Sequence, residues 1–264
     1  MKHVTSRDNA LLRRVRRLAT SARERRESGL TLLDGVHLVE AAEAAGVVLQ
    51  ELLVSEHGVQ QPEIDALLAR HPEAAVTLVP DALFAQASPV DTPSGVLALI
   101  ATPPETGASL SPSVIVLDGV QDPGNLGTIV RTAAAAGVGD ALLTTGCAQA
   151  WAPRTLRAGM GGHFRLRIRE RVDASTALAD FQGRIVATGV GADARSLYET
   201  ELTGAVAWLF GAEGAGLSPA VAALATDVVT IPMPGDVESL NVGAAAAVCL
   251  FEQVRQRLGL PVSR

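Results

Sequence analysis

The 264-residue chain is poor in the residues that crosslink, stack or bind metals. Its two cysteines, Cys147 and Cys249, lie far apart and outside any CxxC pattern. A disulfide scaffold or structural zinc site therefore does not fit, and a reducing cytosol is expected. The five histidines (His3, His37, His57, His71, His163) show no metal-ligand spacing, so no metal is expected. Aromatic residues make up only 3%. Lys2 is the single lysine, which leaves arginine to supply nearly all positive charge. The longest apolar stretch, Val242 to Phe251, is far short of the roughly 20 residues a membrane span needs. The basic start, MKHVTSRDNALLRRVRRL, has no apolar core or cleavage site, so no signal peptide is read. A soluble, cytoplasmic protein is the expectation.

What is present is an apolar, glycine-rich chain, 48% hydrophobic with 25 Gly and 14 Pro. That is too apolar for disorder and long enough for one large or two modest domains. The net charge of −6 argues at first against a polyanion partner, but charge must be read by region. Residues 1–26 carry +7 and residues 154–171 carry +5, against −18 for the remainder. Concentrated arginine steers a polyanion whatever the total. Such runs can also be ordinary solvated helix faces. Within the first patch, Leu11, Val15, Leu18 and Ala22 recur at helical spacing and Ser6 is a plausible N-cap, so one helix is expected there.

The clearest linker is the Pro/Thr/Ser/Gly-rich stretch 101–113. This divides the chain into residues 1–103, a 104–113 linker, and residues 114–264. Before the linker, apolar runs alternate with helical patterns, which predicts a compact α/β domain. After it, near-continuous apolar strands at Val114–Asp118, Ala141–Thr144, Ile185–Thr188, Val206–Phe210 and Val228–Ile231 predict a parallel sheet covered on both faces. A small echo, Leu33-Asp-Gly-Val36 and Leu117-Asp-Gly-Val120, reads as coincidence in the absence of further similarity.

Three loop motifs follow strands in the second half. The first, Leu117-Asp-Gly-Val-Gln-Asp-Pro-Gly-Asn-Leu-Gly-Thr-Ile-Val-Arg-Thr-Ala133, places turn residues before a helix opened by Asn125, with Arg131 six residues on. Arg131 is either a snorkelling surface arginine or an anion clamp. The second, Phe210-Gly-Ala-Glu-Gly-Ala-Gly-Leu217, is a tight turn or a close backbone approach to a ligand, and Glu213 has no packing purpose there. It is not G-x-G-x-x-G, so a dinucleotide fingerprint is unsupported. The third runs from Ile231 to Ala245, with Ser239 and Asn241 where a helix starts, as caps or as site residues. All three fall at the carboxyl ends of parallel strands, where α/β sheets place ligands.

With these motifs in this order, residues of about 113–258 resemble the SpoU family of RNA ribose 2′-O-methyltransferases, within the SPOUT superfamily. The first half resembles the smaller α/β RNA-binding domain that often precedes it. The resemblance implies a parallel-sheet domain with a deep trefoil knot, S-adenosyl-L-methionine bound in the knot, and a homodimer with sites near the interface. It implies that Asn125, Arg131, Glu213, Ser239 and Asn241 form the catalytic set, while Gly211, Ile231, Leu240 and neighbouring Met233 contact the methyl donor. Pro153–Phe164 resembles the family's basic helix, although Gly159 and Gly161-Gly162 argue against an unbroken one.

The implied reaction is attack of a ribose 2′-hydroxyl on a sulfonium methyl, where positioning supplies much of the rate. An arginine is essentially always protonated and makes a poor base. Arg131 is therefore expected to hold the target phosphate and stabilise the developing alkoxide. Glu213 or the phosphate would receive the proton, with Asn125, Ser239 and Asn241 orienting the ribose. Ribosomal RNA is the favoured partner, gripped from the N-terminal domain by the first arginine patch, with the second lining the approach to the cleft. A transfer RNA enzyme, a non-catalytic RNA-binding or ribosome assembly factor, and a nucleotide-dependent α/β enzyme are the alternatives; the missing phosphate-loop fingerprints count against the last.

Overall fold

The computed structural model describes every residue except 91, 106, 108, 190–193, 236 and 261–264. The chain forms two compact units. The first is built from β1 (Lys2–His3), α1 (Ala10–Thr20), α2 (Ala22–Ser28), β2 (Leu30–Asp34), α3 (Val36–Ala44), β3 (Leu49–Ser55), α4 (Pro62–Arg70), β4 (Val76–Val79), α5 (Asp81–Ala87) and β5 (Val96–Ala101). Its sheet has the order β1-β4-β3-β5-β2, with β5 antiparallel to both neighbours.

The basic N-terminal region is two helices, where one was expected. Ser21 ends α1 in extended backbone, and its hydroxyl accepts from the Glu24 N–H to start α2. Ser21-Ala-Arg-Glu24 has the spacing of a capping box, a start signal that outweighs continuation of the helix. The N-cap of α1 is Asn9, whose side chain accepts from the Leu11 N–H, and not Ser6. Leu12, Val15 and Leu18 are the buried face of α1, packed into a core with Leu32, Leu53 and Leu97. Arg25 is buried, donating to the Leu18 carbonyl at the end of α1, while Arg7, Arg13 and Arg26 are exposed.

The second unit starts with β6 (Ser113–Asp118), α6 (Pro123–Ala135) and β7 (Asp140–Thr144). The chain then enters the first unit for residues 151–164, which carry α7 (Pro153–Gly159). There α7 packs on β2, and the Thr31 hydroxyl donates to the Trp151 carbonyl. Arg157 forms an ion pair with the fully buried side chain of Asp34. Burial raises the Asp34 pKa, against the opposing pull of Arg157. The helix stops at Gly159, followed by Met160 in left-handed backbone, so the glycine-rich segment is not one helix.

The second unit resumes with β8 (Arg167–Val172), α8 (Ala174–Leu178), β9 (Arg184–Thr188), β10 (Arg195–Ser196), β11 (Val206–Gly211), α9 (Pro219–Ala222), β12 (Asp227–Thr230) and α10 (Val242–Arg257). The seven strands are all parallel, in the order β10-β12-β9-β11-β6-β7-β8. Strand order reverses on either side of β6, which creates a crevice at the carboxyl ends of β6 and β11. On one face, α8 and α9 cover Val114, Val116, Leu142 and Leu209. Helix α10 packs on α6 and β11, and the buried Trp208 indole donates to Gln253 at 2.9 Å.

Candidate active site

The first two motifs flank the crevice. Asp122 caps α6, its side chain accepting from the Asn125 N–H at 2.7 Å, with Pro123 at the first helical position. That cap sets Asn125 in the first turn of α6. The glycine loop after β11 closes on itself through paired Ala212 and Gly216 backbone hydrogen bonds of 3.0 and 2.9 Å. A Cβ on Gly211 would lie 2.2 Å from the Gly216 backbone, so only glycine permits this return. Glu213 sits at the tip of that turn. The third motif brings Asn241, which caps α10 by accepting from the Gly243 and Ala244 N–H groups.

A single hydrogen-bonded chain joins the three motifs. Asn125 Nδ2 donates to Glu213 Oε1 at 2.5 Å, and Asn241 Nδ2 donates to Asn125 Oδ1 at 2.9 Å. Each amide is oriented by a partner on either side, ending on the α10 N-terminus. Asn241 is thus both a cap and a member of the cluster, so the two readings of its position are compatible.

Beside this chain lies a cavity of 590 Å³. Gly211, Glu213, Ile231, Met233, Ser239, Leu240 and Asn241 all line it. Asn125 does not, and reaches it only through Glu213 and Asn241. Arg131 is not brought to the cluster: it is exposed, with no hydrogen bond or ion pair among the described residues. Six helical positions turn it about 120° away from Asn125. Four lining residues lie outside the three motifs, Thr188 and Gly189 at the carboxyl end of β9 and Val229 and Thr230 of β12. For the β9 pair, a glycine directly after an apolar strand was the available signal.

The second arginine patch is dispersed. None of its six arginines lines this cavity. Arg157 serves Asp34 in the first unit, and Arg167 makes a two-pronged pair with Asp140 at 2.9 and 2.7 Å. Arg169 lines a separate 450 Å³ cavity with Ser109, Leu110 and Phe181, its Nε and Nη2 buried without hydrogen-bond partners among the described residues. Charge counted along the chain ignores the partners that folding supplies. Among the described residues there is no group of three or more potential metal ligands and no helix long and apolar enough to cross a membrane.

An all-parallel sheet with polar loops converging at its switch point defines a ligand-binding α/β domain, and comparison with known proteins specifies which. Residues 112–251 match the SpoU rRNA Methylase family, and residues 9–98 match an MRM3-like substrate binding domain. The chain belongs to the SpoU rRNA methylase family. It is 30% identical to a 23S rRNA (guanosine(2553)-2′-O)-methyltransferase, RlmP, of Bacillus subtilis, over 95% of this chain and 98% of that protein. It is 33% identical to an uncharacterized tRNA/rRNA methyltransferase of Synechocystis, over 96% of this chain and 94% of the other. Among solved structures, an RNA 2′-O ribose methyltransferase superposes with a TM-score of 0.84 at 33% identity, covering 97% of this chain and 99% of that one. The SpoU methyltransferase AviRb from Streptomyces viridochromogenes, in complex with AdoMet, superposes with a TM-score of 0.85 at 25% identity, covering 95% and 98%.

Proposed function

We propose that this chain is an S-adenosylmethionine-dependent methyltransferase acting on a ribose 2′-hydroxyl of ribosomal RNA. The observation that carries the reading is the Glu213–Asn125–Asn241 chain of hydrogen bonds beside the 590 Å³ cavity. The residues present fit the methyl donor. The cavity has the size of a small-molecule site, with apolar walls from Ile231, Met233 and Leu217 and a few placed polar groups, Glu213 and Ser239 among them. Bound there, S-adenosylmethionine supplies an electrophilic methyl group.

The protein's own part is to orient the ribose and take a proton. Asn125 and Asn241 are locked by their mutual hydrogen bond, so both amides are set before RNA arrives. Glu213 keeps one oxygen on Asn125, while Oε2 has no partner among the described residues; we assign that atom to receive the 2′-hydroxyl proton. Ser239, exposed at the cavity edge, contacts the ribose in this reading. Arg131, exposed and unpaired among the described residues, holds an RNA phosphate.

The favoured substrate follows the Bacillus relative, whose name specifies 23S rRNA, and the MRM3-like substrate binding domain. Two further parts of the reading rest on placement. Exposed Phe251 on α10, with Leu258 and Leu260 beyond it, supports a homodimer. Strand β12 pairs with β9 and α10 then packs against α6 and β11, a return that supports the knotted path implied by the family resemblance.

The test is mapping of 2′-O-methylation across cellular RNA with and without the gene, alongside calorimetry with S-adenosylmethionine. One ribosomal RNA position is expected to lose its methyl group. Loss at a transfer RNA position would reassign the substrate, and absence of S-adenosylmethionine binding would leave an RNA-binding factor without catalysis.

A further inference from the structure

The Leu-Asp-Gly-Val echo is structural. In each copy the aspartate is the last residue of a strand, Asp34 of β2 and Asp118 of β6, and both are buried. Each is followed by a glycine at positive φ, 100° at Gly35 and 67° at Gly119. Each carboxylate then fastens a segment distant in sequence. Asp34 holds Arg157, and Asp118 holds two chain segments at once.

Asp118 Oδ1 accepts from the Thr144 hydroxyl at 2.7 Å, at the end of β7. Thr144 Oγ1 in turn accepts from the Gly119 N–H at 3.2 Å, fixing the turn out of β6. Asp118 Oδ2 accepts from the Ser218 N–H, also at 2.7 Å. Ser218 is the first residue beyond the glycine loop, and it also caps α9. At the other end of that loop, Gly211 is the register partner of Asp118 across the β6–β11 ladder. One residue therefore grips both ends of the loop, the entry through its backbone register and the exit through its carboxylate.

We propose that Asp118 is a positioning residue that holds the glycine loop in its ligand-binding shape. The loop supplies Gly211, Glu213, Gly214, Gly216 and Leu217 to the cavity wall. With its exit released, the Ala212–Gly216 turn would be tethered only at β11, and Glu213 would lose its fixed approach to Asn125. Asp118 itself does not line the cavity, so its effect on a ligand there passes through the loop. This inference rests on the proposal that the cavity holds S-adenosylmethionine.

The experiment uses the full chain and S-adenosylmethionine itself. Ser218 has φ −62°, which proline adopts, so Ser218→Pro removes the N–H donor together with the hydroxyl cap. Ser218→Ala removes the cap alone and keeps the donor. Hydrogen bonds to a charged group are of a size to change affinity by about tenfold or more. Ser218→Pro and Asp118→Ala are each expected to weaken S-adenosylmethionine binding by about that factor and to raise its KM, with RNA affinity unchanged. Ser218→Ala should stay near wild type. Because the two changes share the Asp118–Ser218 contact, the Asp118→Ala/Ser218→Pro double variant should bind far less weakly than the two losses multiplied would give, close to the weaker single. Asp118→Asn, which can accept only one of the two donors, should lie between wild type and Asp118→Ala. If Asp118→Ala does not fold, the Ser218 pair decides the matter. Wild-type affinity in Ser218→Pro, or an equal loss in Ser218→Ala, overturns the inference. A wild-type chain that binds no S-adenosylmethionine defeats the functional reading instead.

Discussion

Two charged side chains divide the chemistry in the proposed mechanism, and their surroundings differ. Glu213 is held by Asn125 at the cavity wall, whereas Arg131 lies on the exposed side of α6. Glu213→Gln keeps an acceptor for Asn125 but removes the proton-accepting carboxylate. Single-turnover methylation should fall by about 10² or more, the range of general-base contributions, while S-adenosylmethionine affinity changes little. Arg131→Ala should weaken RNA binding instead and lower the slope of log affinity against log salt by nearly one phosphate contact, about 0.7–0.9. A filter-binding titration across salt concentrations checks this, and an unchanged slope would remove the clamp role. The motif residues were legible in the sequence because their types and order are specific. That Arg131 stands apart from the cluster was not, since six positions along a helix say nothing until the helix is docked.

At the scale of elements, helix starts position the chemistry. Asp122 sets Asn125 on α6, and Asn241 both caps α10 and reaches across to Asn125. Asn241→Ala should therefore cost about 0.5–2 kcal/mol of stability through the lost cap. It should also lower turnover, because Asn125 loses one of its two orienting partners; Asn241→Asp, which keeps the cap acceptor, should restore stability but not turnover. Thermal melting beside a methylation assay separates the two effects. The strands of the second unit were readable as apolar runs, with two exceptions, β8 and the two-residue β10. Strand β8, Arg-Ile-Arg-Glu-Arg-Val, is charged at alternate positions and reads as a basic patch. It is an edge strand, and Asp140 on the neighbouring β7 neutralises Arg167. No local pattern encodes that partner.

For the molecule as a whole, buried carboxylates set the response to acid. In the second unit, burial pushes the pKa of Asp118 and of Asp140 upward, but hydrogen bonds outweigh it. Ser218 and Thr144 do so for Asp118, and Arg167 and Ser111 for Asp140, so both lie below the ordinary 3.8. A carboxyl lowered in the folded state adds stability that is present above its unfolded pKa and lost as pH falls through the folded one. The melting temperature should therefore hold above about pH 5 and decline below the unfolded value. Asp140→Asn should be less stable at neutral pH and show a shallower acid decline, which a pH series of thermal melts measures. Asp34 in the first unit has the opposite sign, raised by burial, so its ionisation opposes folding as pH rises above its unfolded value.

The sequence by itself determined the class of fold, most of the parallel strands and the motif residues from which a candidate site is proposed. These depend on local pattern and residue type, which the chain carries directly. Tertiary structure alone decided which of those residues meet. It joined Glu213, Asn125 and Asn241 into one relay, left Arg131 outside, and made Asp118 the anchor of a loop far along the chain. It also gave Arg157 and Arg167 of the second arginine patch separate carboxylate partners and placed residues 151–164 within the first unit. Hydrogen bonds and ion pairs act over a few ångströms in space, and separation along the chain does not measure that distance.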